Sequence, residues 1–253
     1  MVTGIHHIGV VVRNLSESYR FWRDTLGLPL IREALIKDQG VRAALLAAGS
    51  SEIELLEPTT PDNGVARFLA KRGEGLHHVC FQTADVAGEL AGLKSKGIAL
   101  LDAAPRVGLA GRIAFLSPAA CHGVLVELAT PGHAEPAPES PVRFKRLVIG
   151  CQSPEDTART YQDLFGLPEI EVNGGPRCML GWPGGSTLLM VRVTEVGGME
   201  GMVALSIVAP DMPPLMRRLE KARAATLLGA GEITVEPQSS HGVHLHISRY
   251  HFP

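Results

Sequence analysis

The chain has 253 residues, 45% of them hydrophobic and 20% charged, with a formal net charge of -2. This is an ordinary soluble composition, long enough for one large or two modest domains, and its Lys and Arg residues form no run that would favour nucleic acid or an acidic membrane surface. Cys80, Cys121, Cys151 and Cys178 lack metal-finger spacing and imply buried thiols, and with neither a signal-peptide pattern at Met1-Val2-Thr3-Gly4 nor an apolar run of about 18 residues, a cytoplasmic protein with a small-molecule or protein partner and no membrane association is expected.

Ile5 to Val12 is mostly apolar and β-branched and predicts a strand. It carries the doublet His6-His7. Asn14 or Ser16 is placed to cap a helix on which Leu15, Tyr19, Trp22 and Leu26 share a face, with Gly27 as its stop. Three short strands follow, Leu28 to Glu33, Val41 to Ala47 and Glu52 to Glu57, so the unit is β-α-β-β-β. The pattern then restarts. Leu76 to Gln82 is a strand with a second doublet, His77-His78; Asp85 caps a helix with Val86, Leu90 and Leu93 on one face and Gly97 at its end; strands are expected near Ala99, Ile113 and Leu125. Thr130 to Pro141, with His133 and several Pro and Ala residues, has no periodicity and reads as an extended linker.

After the linker the beginning returns. Phe21-Trp22-Arg23-Asp24-Thr25-Leu26-Gly27-Leu28-Pro29 is echoed by Thr160-Tyr161-Gln162-Asp163-Leu164-Phe165-Gly166-Leu167-Pro168, and His122-Gly123-Val124 by His241-Gly242-Val243. An internal repeat of this length fixes architecture more firmly than a single motif. The expected fold is α+β, four β-α-β-β-β units in two halves.

Two of the first-half strands carry His doublets and two carry lone carboxylates, Glu54 in Ile53-Glu54-Leu55-Leu56 and Glu127 in Val124-Leu125-Val126-Glu127-Leu128. Because strand side chains alternate, only one His of each doublet is expected to face a given interior. The plain alternative is that the inward histidines are hydrogen-bonded core residues and the carboxylates are edge-strand charges.

Tandem units with a His on the first strand and a Glu on the last resemble the vicinal oxygen chelate, or glyoxalase-type, superfamily, and the first half most resembles its methylmalonyl-CoA epimerases. The segments that carry the resemblance are Ile5-His6-His7-Ile8-Gly9, Asp38-Gln39-Gly40-Val41-Arg42, Glu54-Leu55-Leu56-Glu57-Pro58, Gly73-Glu74-Gly75-Leu76-His77-His78, Pro105-Arg106 with Gly111, and Gly123-Val124-Leu125-Val126-Glu127-Leu128. The resemblance implies two tandem glyoxalase-type domains with curved mixed sheets forming an open cup or barrel. A metal-binding domain would span 1–130, a linker 131–142 and a degenerate domain 143–253. It places the metal ligands at His7, Glu54, His78 and Glu127, with His6 and His77 facing away, and this set also resembles that of bacterial glyoxalase I. Two imidazoles and two carboxylates suit one divalent ion, Co, Ni, Zn or Mn, or Fe(II) in an oxygenase.

In the second half the four positions become Arg146, Leu189, Ala204 and His246, so that half is expected to be silent and to stand where a partner subunit stands in the family's dimers. The chain is then a pseudo-dimer with one working cup, itself a monomer or a homodimer.

The resemblance implies an epimerase or isomerase that removes a proton beside a carbonyl or thioester of a small substrate such as an acyl-CoA, with Glu127 as base. Some epimerases of the family carry a second Glu in the Gln-Gly-Val segment, where this chain has Ala43. Glu54 is then the candidate for the opposite face, with Glu33 more remote. Arg42, Arg106 and Arg112 are possible anion contacts. Two other readings stay open: a glyoxalase I-like lyase or Fe(II) extradiol-type dioxygenase using His7, His78 and Glu127, and a non-catalytic small-molecule binder.

Overall fold

A computed structural model describes residues 1–132, 137–171, 178–182, 184–229 and 231–249. His133 and part of the expected linker lie outside the described residues. The first half runs β1 (Val2–Val11), α1 (Leu15–Tyr19), β2 (Leu30–Ile36), β3 (Val41–Ala48), β4 (Ser51–Pro58), α2 (Gly64–Arg72), β5 (Gly75–Thr83), α3 (Val86–Ser95), β6 (Arg106–Gly108), β7 (Gly111–Leu116) and β8 (Val126–Pro131). The second runs β9 (Arg143–Cys151), α4 (Pro154–Phe165), β10 (Met179–Gly181), β11 (Thr187–Arg192), β12 (Gly201–Val208), α5 (Met212–Lys221), β13 (Thr226–Leu228), β14 (Glu232–Val235) and β15 (Leu245–Ser248). Among the described residues no helix is long and apolar enough to cross a membrane.

The strands form two mixed sheets, ordered β2-β3-β4-β1-β5-β8-β7-β6 and β10-β11-β9-β12-β15-β14-β13. This is the expected α+β architecture of curved sheets. The first sheet curls until its ends meet: Arg32 on β2 donates to the Leu109 carbonyl in the β6–β7 turn, and the Gln39 amide donates to the Val107 carbonyl at 2.9 Å. The cup is therefore walled on both sides. Its apolar wall is a cluster of Val11, Val41, Ala43, Leu45, Leu56 and Val65, which Leu109 joins from across the opening.

Three elements differ from the sequence reading. The first helix does not keep its pitch; after α1 it widens into π-type turns over Arg20–Thr25, with Leu26 N donating to the Phe21 carbonyl. No strand forms at Ala99, where a single bridge joins Leu100 to Leu116, and the edge strand forms only after Pro105, which has no N–H to give a ladder. The sequence reading has no counterpart of α2, a helix capped by Asn63, whose side chain accepts from Ala66 N at 2.8 Å.

The halves share one apolar core that runs from β1 and β5 to β9 and α4. Phe81 packs against Phe165 with ring centroids 5.0 Å apart, the Tyr161 hydroxyl donates to the Cys121 carbonyl, and Ser51 meets Ser186 at 2.9 Å. Backbones touch at two related places. A Cβ on Gly242 would lie 1.9 Å from the Glu74 carbonyl oxygen, and one on Gly75 would lie 3.4 Å from the Gly242 oxygen; in the mirrored contact one on Gly201 would lie 3.4 Å from the Gly123 oxygen. His122 and His241, both at positive φ, sit in these turns and pair with Thr160 and Glu74 of the opposite half. Their repeat is thus one of packing.

Candidate metal centre

Strands β4, β1, β5 and β8 are adjacent, and each contributes one ligand-type side chain to the cup floor. Register determines the arrangement. Glu54 and His78 flank Gly9 on the two neighbouring strands, and one pleat away Cys80 stands between His7 and Glu127. The Nε2 atoms of His7 and His78 lie 2.9 Å apart. The Glu54 carboxylate lies 3.5 and 3.4 Å from them, and that of Glu127 3.9 and 3.3 Å. One atom from each of the four falls within 4.8 Å of the others. All four are buried, Glu54 the most exposed at 5%.

Gly9 makes this convergence possible. Its backbone is ordinary extended strand, but a Cβ there would lie 2.2 Å from Cε1 and 2.3 Å from Nδ1 of His78. The imidazole occupies the space a side chain would fill.

Burial works against charge at His7, Glu54 and Glu127. At His7 the neighbouring carboxylates, Glu54 above all, outweigh burial and raise the pKa to about 9. For Glu54, the two imidazoles overcome burial and hold the carboxyl below the usual carboxylate range. At Glu127 burial prevails over both imidazoles and its pKa is raised. Two buried carboxylates facing two imidazoles form a donor set whose charge a divalent cation would balance, with N and O atoms suited to Zn, Co, Ni, Mn or Fe(II). The residues therefore fit such an ion.

The expectation that His77 faces away is corrected, since it lines the cup, and His6, though not among the cup-lining residues, turns toward a ligand-type ring. Both sit at register shifts in the β1–β5 ladder, between Ile5 and His7 and opposite the step from Gly9 to Val10, where two residues oppose one and the alternation of faces breaks. Nδ1 of His6 lies 2.9 Å from Nδ1 of His7, and Nδ1 of His77 lies 3.0 Å from Nδ1 of His78. Four imidazoles thus form a chain, His6-His7-His78-His77. Burial and the inner imidazoles push the outer pair down to about 3, leaving both rings neutral. His77 also lines the cup and packs edge-on against Phe68 of α2. Strict period-two reasoning missed these contacts, and the doublets themselves are the signal that could have found them.

Above the floor the cup encloses about 590 Å³, within the range of small-molecule sites. Val41, Leu56, Val65, Leu109, Ile113 and Phe115 wall it, and the exposed Arg67, Lys71 and Arg72 of α2 stand at its rim. Ala43 lies buried in the apolar wall. Glu33 is not in the cup: it pairs with Arg42 and accepts from the Tyr19 hydroxyl, and that hydroxyl and the guanidinium hold its carboxyl below the usual range. Of the three arginines, Arg42 is engaged there, Arg112 is exposed, and Arg106 lines the cup.

The second sheet repeats the register with other side chains. Leu189 and Ala204 flank Val148, the counterpart of Gly9, while Ser206 stands between Arg146 and His246. His246 pairs with Glu232 and Thr234. Its neighbour His244 is exposed.

Residues 6–115 match the model of the glyoxalase/bleomycin resistance protein/dioxygenase superfamily. The mitochondrial methylmalonyl-CoA epimerase of Mus musculus is 33% identical over 126 residues, 49% of this chain and 71% of that protein. A variant of the Streptomyces coelicolor methylmalonyl-CoA epimerase, solved with 2-nitronate-propionyl-CoA, is 42% identical, with a TM-score of 0.51 over 53% of this chain and 99% of that one. A variant of 4-hydroxymandelate synthase from Streptomyces coelicolor aligns over 98% of this chain and 92% of its own with a TM-score of 0.72, and at 17% identity this likeness is one of fold. The chain belongs to the glyoxalase/bleomycin resistance protein/dioxygenase superfamily.

Proposed function

We propose that the protein is a metal-dependent epimerase or isomerase that moves a proton on the carbon beside a carbonyl or thioester, with an acyl-CoA as its substrate class. Residues 1–130 form the working cup, and the half from 143 onward is a silent copy that completes its packing. The observation that carries this reading is the bracketing of His7 and His78 by two buried carboxylates on opposite flanks, Glu54 on β4 and Glu127 on β8. Its epimerase relatives cover this half, and the cationic rim of α2 suits the phosphates of coenzyme A.

His7, Glu54, His78 and Glu127 would hold the ion. When bound, a divalent cation supplies the Lewis acidity that makes a C–H beside a carbonyl acidic enough to lose its proton. Glu127 as carboxylate removes the proton of one epimer on the β8 side while Glu54 gives up a proton of its own on the β4 side; for the other epimer the two exchange roles, Glu54 removing the proton and Glu127, whose burial favours its protonated form, supplying its own. With Ala43 in the apolar wall, this division of labour replaces a base on β3. The cup walls exclude water from the proton in transit. A three-ligand dioxygenase reading would use His7, His78 and Glu127, but a fourth donor, Glu54, lies beside both imidazoles and would compete with oxygen or a catechol.

The deciding experiment is metal analysis of protein purified without added metal, then incubation with methylmalonyl-CoA in deuterated water. Exchange of the α-proton, lost on chelation and restored by Co, Ni, Zn or Mn, is the expected result. Oxygen uptake with a catechol and no exchange would overturn it. The same samples give a stability readout: a metal at 100 times its dissociation constant stabilises the fold by about 2.7 kcal/mol. Chelation is therefore expected to lower the unfolding midpoint, and calorimetry checks it.

The outer imidazoles are expected to orient the ligands, each ligand ring giving its Nδ1 proton to its neighbour. His77→Phe, which keeps the contact with Phe68 but loses the acceptor, should weaken metal binding about 10- to 100-fold by isothermal titration calorimetry.

A further inference from the structure

The two cup floors share one register and differ in charge. Across the first sheet one row of paired residues reads Glu52, His7, Cys80, Glu127 and Phe115, and the row in the same register of the second sheet reads Thr187, Arg146, Ser206, His246 and Thr234. The bulge before His7 is repeated as well: the shift between Ser206 and Ile207 skips Lys145, which stands where His6 does. With Glu54 answered by Leu189, the copy has exchanged Glu52, Glu54 and Glu127 for Thr187, Leu189 and His246, and the doublet His6-His7 for Lys145-Arg146. A floor built to receive a cation has become one built to receive an anion. Alternation keeps that floor within reach of solvent. Leu147, Ile149, Leu205 and Ile207 are buried in the shared core, whereas Lys145, Arg146 and Ser206 are half-buried. Arg146 Nε donates to the Thr187 hydroxyl and the Lys145 ammonium to the Ser248 hydroxyl, each at 3.4 Å. A hydroxyl can accept from a cation while turning its own proton toward an anion, so these contacts place the cations without opposing a ligand. Burial and the adjacent guanidinium lower the Lys145 pKa against the pull of Glu232, an exposed carboxylate that is paired with His246.

We propose that the second cup, silent toward metal, is an anion site that takes a phosphate group, free or as the monoester of a small molecule, at Lys145, Arg146 and Ser206. Two cations on neighbouring residues match the double charge of a phosphate better than the single charge of a carboxylate. The planar guanidinium can meet two of its oxygens while the ammonium and the Ser206 hydroxyl meet the others. Glu232 sets the limit of the site beyond His246, because a second anion is repelled there, so the ligand centres on Arg146 and Ser206. Val148, half-buried on the same face of β9, offers apolar contact to the body of an ester. This site is independent of the reaction in the first cup.

The test follows the Arg146 Nε–H signal by NMR as inorganic phosphate is added to the whole chain at constant ionic strength, with Arg146→Gln identifying the signal. A saturating shift is expected, and Lys145→Gln should weaken the affinity about 10- to 100-fold. Lys145→Arg, which keeps the charge, should keep the affinity, so loss of charge is told from loss of fold. Ser206→Asp sets a carboxylate where the phosphate would lie and should abolish the saturating shift while the amide spectrum stays dispersed. A shift that only rises linearly, that sodium chloride reproduces, or that survives unchanged in Lys145→Gln and Ser206→Asp would overturn the assignment. Phenyl phosphate separates the two sources: binding tighter than that of inorganic phosphate supports the site as one for a monoester, and equal or weaker binding supports it as one for the free ion.

Discussion

Gly9→Val is expected to strip the protein of its metal while leaving it folded. The substitution asks nothing unusual of the backbone, since Gly9 lies within β1 outside the left-handed region, just before a register shift. What it meets is the His78 ring, with all three of Cε1, Nδ1 and Nε2 within 2.8 Å of the new Cβ. The imidazole must leave the floor, and one of two nitrogen donors goes with it. Because disturbing an outer-sphere partner alone costs 10- to 100-fold in metal affinity, displacing an inner ligand should cost more than about 100-fold. The chain already contains the outcome of the exchange: in the second sheet Val148 stands at this position and Ala204 replaces the imidazole. Gly9→Val/His78→Ala should therefore unfold at a higher temperature than Gly9→Val alone in the presence of chelator, because the alanine vacates the space the valine needs. Metal content after dialysis and the two unfolding midpoints check both statements. Stoichiometric metal in Gly9→Val would count against the site.

The second large effect is at the carboxylates. Glu127→Gln keeps an oxygen donor at the floor but cannot accept a proton, so it separates binding from proton transfer. Metal should still bind, while α-proton exchange of the epimer that presents its proton to β8 falls by about 10²- to 10⁴-fold, the usual worth of a positioned general base. Glu54→Gln should affect the other epimer. If Glu54 serves the opposite face, the variant continues to exchange the proton of one epimer through Glu127 but no longer interconverts the two, a difference that chiral analysis of the recovered thioester detects. Equal loss of exchange and inversion in both variants would mean that the two carboxylates act only together.

The sequence made much of this visible because strands with one buried face write their register in alternation, and a lone carboxylate in an apolar run, such as Glu54 or Glu127, has few other reasons to be there. The helix starts were legible for a similarly local reason: of the two caps offered for the first helix, Asn14 or Ser16, Asn14 takes the place, and its side chain and that of Asp85 each accept from the backbone three residues on. What alternation could not deliver lies where alternation stops. The register shifts beside His6 and His77 depend on how two strands distant in sequence pair, and no single-strand pattern encodes them. The role of Gly9 was hidden for a related reason, since it exists only relative to a ring on β5. Arg106 reads in the sequence as one possible anion contact among three, and only the fold brings Asp102 and Phe115 against it.

The paired glycine contacts between the halves carry a further consequence. In an assembly of two identical chains, any substitution appears on both sides of the symmetry axis, so a change that fills one floor fills the other. Joining both sides in one polypeptide lifts that constraint. Val148 occupies the copy's floor while Gly9 keeps the original open, and the shared turns at Gly75, Gly123, Gly201 and Gly242 still fit one another. The floor of one half can thereby differ from that of the other while the turns between them stay matched.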